Sequence, residues 1–282
     1  MKRQITSLLL IGLLIAVAGC TPAATPAPTE PPPQPTATTV PEPATLTVFA
    51  AASLTDAFNE IKGDFEAAHP GVTIVYNFAA SNALAQQLGQ AAPADVFASA
   101  NNTQMNVAIE AGRVISGTTR TFVRNRLVVV VPTGNPGGVA TLQDLAKPGL
   151  LIVLAAAEVP VGQYSLDFLD KAVQDAAFGT TFKDDVLANV VSYEENVRSV
   201  LTKITLGEAD AGIVYTSDIN GDAADQVERL HIPDALNTIA SYPIGTIKDS
   251  ANPELAQAFM DYVLAPEGQT VLASYGFIIE IK

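Results

Sequence analysis

Two serines stand where a strand-like run gives way to a helix-like one, and both offer the chemistry of an anion site. In Leu46-Thr47-Val48-Phe49-Ala50-Ala51-Ala52-Ser53-Leu54-Thr55-Asp56 a β-branched run passes through three alanines to Ser53, with apolar residues following at Leu54, Ala57, Phe58, Ile61 and Phe65. That spacing is helical and puts Ser53 at the N-cap. The first turn of a helix carries N–H groups without intrahelical partners and the positive end of the helix dipole, and small alanines let a ligand approach the backbone. The pattern returns at Asn77-Phe78-Ala79-Ala80-Ser81-Asn82-Ala83-Leu84, where Ser81 precedes Leu84 and Leu88. Either serine alone reads equally well as the cap of its own helix. Two such turns in one chain are what point to a shared ligand.

Two more turns belong to the set. Val159-Pro160-Val161-Gly162 lies between an apolar run and a helix carrying Leu166, Leu169 and Val173, so Val161 and Gly162 present backbone N–H groups at a helix start. Glu194-Glu195-Asn196-Val197-Arg198 opens a fourth helix, with Val200, Leu201 and Ile204 on its apolar face. The acidic pair there suits the first turn of a helix better than a catalytic dyad. Arg198 reads either as a helix-surface residue or as an anion clamp. Gly212-Ile213-Val214-Tyr215 ends a buried run in a tyrosine whose hydroxyl can donate to an oxyanion or serve simply as the wet tip of a packed ring.

The elements that must position these turns alternate. Strands are expected at Thr47–Ala50, Val72–Asn77, Asp95–Ala98, Arg126–Val131, Leu151–Ala155, Val190–Ser192 and Ala211–Tyr215. Helices are expected at Leu54–Ala68, Ala83–Gln90, Asn102–Ala111, Tyr164–Ala177, Asn196–Leu206 and Pro253–Leu264. Such alternation implies an α/β fold with mainly parallel sheets, in which ligands sit beyond the carboxyl ends of the strands. Ser53 and Ser81 fall at just such ends.

Charge and termini bound the surroundings. The formal charge is −14, and −16 without Lys2 and Arg3, which argues against nucleic acid as a partner and leaves an anion to be held by local dipoles. Lys2 and Arg3 precede the apolar run Leu8 to Ala18, too short to span a bilayer, and small residues lead to Cys20, the single cysteine. Val17-Ala18-Gly19-Cys20 resembles the lipobox of bacterial lipoprotein signal peptides, which implies cleavage after Gly19 and acylation of Cys20. Thr21 to Thr45 holds nine of the nineteen prolines and seven threonines. In polyproline II it would reach roughly 75 Å, a tether, with a glycosylated stalk as the alternative.

Taken in order, Thr47 to Leu54, Gly89 to Phe97, Leu127 to Pro132, Val159 to Gly162, Val197-Arg198, Ile213 to Asp218 and Tyr275 to Phe277 resemble the molybdate-binding proteins of bacterial ABC importers. The resemblance covers everything after the tether. It implies a two-lobed type II periplasmic-binding-protein fold, each lobe a mainly parallel sheet flanked by helices. It also implies an oxyanion, molybdate or tungstate, held without salt bridges by the hydroxyls of Ser53, Ser81 and Tyr215 and the backbone N–H groups of Val161 and Val197. The resemblance implies no cofactor or metal beyond that ligand, no enzymatic activity, a membrane permease as partner, and a monomer lipid-anchored outside the cytoplasm. Three positions depart from the family's habit: Ala80 stands where serine is common, Val161 where alanine is, and Asn196 where aspartate is.

The expected division is a signal peptide over 1–19, the lipidated cysteine and tether over 20–45, lobe one over 46–125 and 243–282, and lobe two over 126–242. The first crossing is placed at Arg126 to Val131 and the return near Ser241 to Ile247. Sulfate or another tetrahedral oxyanion, and a purely adhesive surface lipoprotein, are the competing readings. A hydrolase is disfavoured because the two histidines, His69 and His231, sit beside turn prolines with no nucleophile attached. No zinc-ligand spacing and no glycine-rich phosphate loop is present.

Overall fold

The computed structural model describes residues 43–279. The signal peptide, Cys20 and nearly all of the tether lie outside the described residues. Ala44 and Thr45, assigned in advance to the tether, instead begin the first strand, where they pair with Val72 and Thr73.

In chain order the strands are β1 (Ala44–Ala51), β2 (Val72–Ala79), β3 (Val96–Ala98), β4 (Arg120–Asn125), β5 (Leu127–Pro132), β6 (Ile152–Ala155), β7 (Val190–Glu194), β8 (Ala211–Tyr215), β9 (Val227–His231) and β10 (Ala240–Thr246). The helices are α1 (Thr55–Ala68), α2 (Ser81–Gly89), α3 (Asn102–Glu110), α4 (Pro160–Ala172), α5 (Phe182–Ala188), α6 (Val197–Thr205), α7 (Ala223–Gln226), α8 (Pro253–Leu264) and α9 (Pro266–Ser274). No described helix is long and apolar enough to cross a membrane.

Two five-stranded sheets form, ordered β2-β1-β3-β10-β4 and β7-β6-β8-β5-β9. Each is mixed. β1 pairs in parallel with β2 and β3, and β6 with β7 and β8, because helices carry the chain back over the sheet between them. One strand of each sheet runs against the rest, β10 between β3 and β4 and β5 between β8 and β9. The reason is the chain path. β4 hands the chain through Arg126 to β5 in the other sheet, and β9 hands it back to β10, so each crossing joins the edge strand of one sheet to an inner strand of the other. The return lies between His231 and Ala240, earlier than expected. Ala240, Ser241 and Tyr242 pair with Asn125, Arg124 and Val123 in the first sheet.

The cores follow from periodicity. α1 buries Ala57, Phe58, Ile61 and Phe65, the face the sequence spacing marks out. Phe58 and Phe65 pack edge-on against Phe259 of α8, at ring-centroid distances of 6.0 and 5.5 Å. In the second half Phe168 of α4 meets Phe182 of α5 at 6.5 Å. All six residues of β5, Leu127 to Pro132, are buried, as its unbroken apolar run requires.

Candidate functional site

The strand ends of both sheets converge on one small cavity. It is lined by Ala51, Ala52 and Ser53 at the end of β1, Ala80 and Ser81 after β2, and Ala100 after β3. From the second sheet come Val159 to Val161 after β6, Asn196 and Val197 after β7, and Tyr215 at the end of β8. Ser53, Ser81, Val161, Val197 and Tyr215, drawn from segments far apart in sequence, thus share one wall-lined space. Each is at most 5 % exposed. No lining residue carries a charge.

Neither serine is a cap. Ser53 lies inside a 3₁₀ turn, Ala52–Leu54, with α1 beginning only at Thr55, and Ser81 is the first residue of α2, whose N-cap is Ala80. No side-chain capping bond forms at either start. The two hydroxyls bond elsewhere: Ser53 Oγ lies 2.8 Å from the Tyr242 hydroxyl, and Ser81 Oγ accepts the N–H of Ala100 at 2.9 Å. The structural explanation for these serines as helix caps therefore falls away, and the first-turn N–H groups remain without intrahelical acceptors.

On the second wall α4 opens with Pro160 at its first position, where a missing N–H costs nothing, leaving the N–H groups of Val161 and Gly162. Gly162 is dictated by close approach. A Cβ there would lie 2.0 Å from the Ala156 carbonyl oxygen and 2.5 Å from that of Ala155. At α6 the Asn196 side chain caps the helix by accepting the N–H of Ser199 at 3.0 Å, so the Val197 N–H is left over. Asparagine thus serves the capping role without adding a negative charge beside the cavity.

The Tyr215 hydroxyl is buried and has no hydrogen-bond partner among the described residues. A buried phenol left unpaired costs free energy, which a ligand acceptor in the cavity would recover. Burial, with Tyr242 close by, pushes its pKa well up, so it stays a donor.

Arg198 is no cavity residue. Its guanidinium grips Asp56 with two bonds, Nη1 to Oδ2 at 2.7 Å and Nη2 to Oδ1 at 3.2 Å, tying α6 of the second half to α1 of the first. Of the acidic pair, Glu194 binds Lys203 at 2.7 Å and the Ser192 hydroxyl. His69 stacks on Phe65 and bonds its carbonyl, and His231 lies on β9. Among the described residues no cluster of three or more His, Cys, Asp or Glu could hold a metal ion.

Sequence reasoning missed two participants, Tyr242 and Asn125, which stand behind Ser53. Asp218, fully buried, accepts the Tyr215 N–H at 3.0 Å through Oδ2, while its Oδ1 has no hydrogen-bond partner among the described residues. Burial pushes the Asp218 carboxyl up to about 7, with the Arg198 charge and the Tyr215 N–H pulling the other way. Only contacts distant in sequence identify Tyr242 and Asn125.

Comparison with known proteins agrees with this architecture. Residues 46–278 match the family described as bacterial extracellular solute-binding protein. The chain is similar to the molybdate-binding protein ModA of Mycobacterium tuberculosis, 38% identical over 232 residues covering 82% of this chain and 84% of that one. It resembles the solved substrate-binding domain of a putative molybdenum ABC transporter from Clostridium difficile, at 29% identity and a TM-score of 0.62, covering 84% of this chain and 99% of that. The fold is also that of the periplasmic molybdate-binding protein of Azotobacter vinelandii, with a TM-score of 0.72 at 20% identity over 84% of this chain and 100% of that one.

Proposed function

Because the chain belongs to the family of bacterial extracellular solute-binding proteins, we propose that it captures molybdate or tungstate in the cavity between its two sheets and delivers the anion to an ABC importer in the membrane. The observation that carries this reading is the cavity itself: residues that carry hydroxyls or stand at helix starts, drawn from both sheets, line one space with no charged side chain among them. A tetrahedral dianion without protons needs donors on every side, and neutral donors in a dry site can match its charge without a fixed cation. Ser53, Ser81 and Tyr215 supply hydroxyls, and Val161 and Val197 supply backbone N–H groups. The curated relative named for molybdate supports the choice of oxyanion.

The near-complete burial of these five residues corresponds to a closed arrangement, and a ligand enters when the two walls part about the crossings at Arg126 and between His231 and Ala240. The Arg198–Asp56 pair joins the helices of the two halves when they meet. In this reading Cys20 carries a lipid that holds the monomer on the outer side of the membrane, and the proline-rich segment lets it reach the permease. Cys20→Ser would then move the protein from the membrane fraction to the soluble one with ligand affinity unchanged. Continued membrane retention would count against lipidation.

Calorimetric titration with molybdate, tungstate, sulfate and phosphate tests the function. One molybdate or tungstate per chain, bound more tightly than sulfate or phosphate, is expected. Tighter binding of sulfate would reassign the substrate, and no binding of any oxyanion would overturn the reading.

A further inference from the structure

Behind Ser53 lies a short chain of buried polar groups, and the one backbone donor at its far end constrains how their protons are arranged. The Asn125 carboxamide oxygen accepts the N–H of Arg126 at 3.0 Å and the Thr216 hydroxyl at 3.1 Å. A backbone N–H can only donate, so this end of the amide is the oxygen. The Asn125 nitrogen therefore faces the other way, donating to Ser217 Oγ at 2.7 Å and to the Tyr242 hydroxyl oxygen at 3.3 Å. With its oxygen receiving that proton, the Tyr242 hydroxyl finds Ser53 Oγ at 2.8 Å as the acceptor for its own, the nearby Tyr215 hydroxyl lying outside hydrogen-bond geometry. Ser53 Oγ is then an acceptor on its buried side. It has no second partner among the described residues, so an acceptor in the cavity is what would satisfy its own proton. Asn125 and Tyr242 are both wholly buried, which excludes water as an easy substitute. Ser81 arrives at the same polarity by a shorter route, its oxygen being occupied by the Ala100 N–H.

We propose that Asn125 and Tyr242 are positioning residues for specificity, a relay that holds the Ser53 hydroxyl as a donor toward the cavity and so favours a fully deprotonated oxyanion over a protonated one of equal charge. This rests on the reading that the cavity takes an oxyanion. A ligand that carries a proton must place it against an acceptor. With Ser53 and Ser81 both committed to donating and Tyr215 kept as a neutral phenol, these hydroxyls offer it a proton instead of a lone pair. The relay also couples the site to the crossing between the sheets, since Asn125 ends β4 and its amide holds Ser217 and Thr216 of the other half.

Two substitutions of nearly unchanged shape invert or cut the relay. In Asn125→Asp the group facing Tyr242 becomes an acceptor, so Tyr242 donates to it and Ser53 donates to Tyr242, turning serine lone pairs to the cavity. In Tyr242→Phe the donor to Ser53 is gone and the hydroxyl is free to rotate. Affinities for molybdate and for inorganic phosphate would be measured by calorimetry at pH 8, where both are essentially dianions and only phosphate bears a proton. Repulsion from a new aspartate therefore cancels in their ratio. Asn125→Asp is expected to shift the molybdate-to-phosphate ratio toward phosphate about tenfold or more, the scale of one hydrogen bond to a charged group, and Tyr242→Phe to shift it the same way by less. Far-UV circular dichroism and thermal unfolding establish that each variant folds, and if Asn125→Asp does not, Tyr242→Phe alone decides. Parallel losses with an unchanged ratio, or phosphate binding absent from every folded variant, overturn the relay and leave these residues as packing. Failure of the wild-type protein to bind molybdate would instead overturn the functional reading beneath it.

Discussion

The two walls of the cavity solve one problem by different means. In the proposed reading the wall from the first sheet acts through serine hydroxyls, each bonded from behind, Ser53 to the Tyr242 hydroxyl and Ser81 to the Ala100 N–H. On the same reading the wall from the second sheet acts mainly through the backbone, at the starts of α4 and α6, with Tyr215 its one side-chain donor. Side-chain donors can be deleted one at a time, whereas backbone donors survive almost any substitution that leaves the helix start in place. The first wall is therefore where mutation should remove affinity, and the second is where only a displaced backbone should.

The sharpest test of that difference is Gly162→Ala. Its Cβ would collide with two carbonyl oxygens at 2.0 and 2.5 Å, so the start of α4 has to move. Loss of measurable molybdate binding, with a destabilisation above about 3 kcal/mol, is expected from calorimetry and urea unfolding. Retained affinity would break the backbone-donor account of the second wall. Next in size come the hydroxyls. Ser53→Ala, Ser81→Ala and Tyr215→Phe should each cost about 1.5–3 kcal/mol of binding, the value of a hydrogen bond to a charged group. Tyr215→Phe should do so with stability unchanged or raised, because its hydroxyl has no partner to lose in the free protein.

Behind the second wall, Asp218 makes stability depend on pH. Its folded pKa is raised to about 7 by burial, from the ordinary 3.8. Between those values the folded state holds a proton that the unfolded state has released, so stability falls as pH rises across this window and levels off above it. Melting temperatures recorded from pH 4 to pH 8 should show that decline, and Asp218→Asn should flatten it. Arg198→Ala is expected to be milder. The pair with Asp56 is about one-third exposed, so its loss should weaken binding by no more than about 1 kcal/mol and leave specificity alone. A loss comparable to that of the serines, growing at low salt, would make Arg198 an anion clamp after all. The smallest effect belongs to Val161→Ala. Affinity should stay within about 0.5 kcal/mol, because only the main-chain N–H is used, even though deleting two buried methyl groups lowers stability by more than that.

The asymmetry between the walls also explains what could be read in advance. The turns at Ser53, Ser81, Val161 and Val197 were legible because each lies where a β-branched run meets helical periodicity, a local pattern that sets where a first turn exposes its N–H groups. The parallel strands β1, β2, β3, β6, β7 and β8 were legible for the same reason. The crossing strands were harder. β4 reads Arg-Thr-Phe-Val-Arg-Asn, with too many polar residues for a buried run, and β10 contains Pro243, where the pairing with β4 shifts register. β9 is mostly exposed and polar on its edge, and gave no signal.

By itself, then, the sequence determined the alternating α/β elements, their helix starts and the kind of group each could offer, because those depend on contacts within a few residues along the chain. Tertiary structure alone decided which of these groups share a cavity and which polar neighbours stand behind them. Asn125 and Tyr242 are 117 residues apart, and Ser53 and Tyr242 are 189 apart. They meet because the chain crosses between sheets twice, bringing β4 and β10 side by side. The capping role expected of the serines failed for the same physical reason: a hydroxyl chooses among all acceptors and donors that packing brings within reach, and the nearest ones in space were remote in sequence.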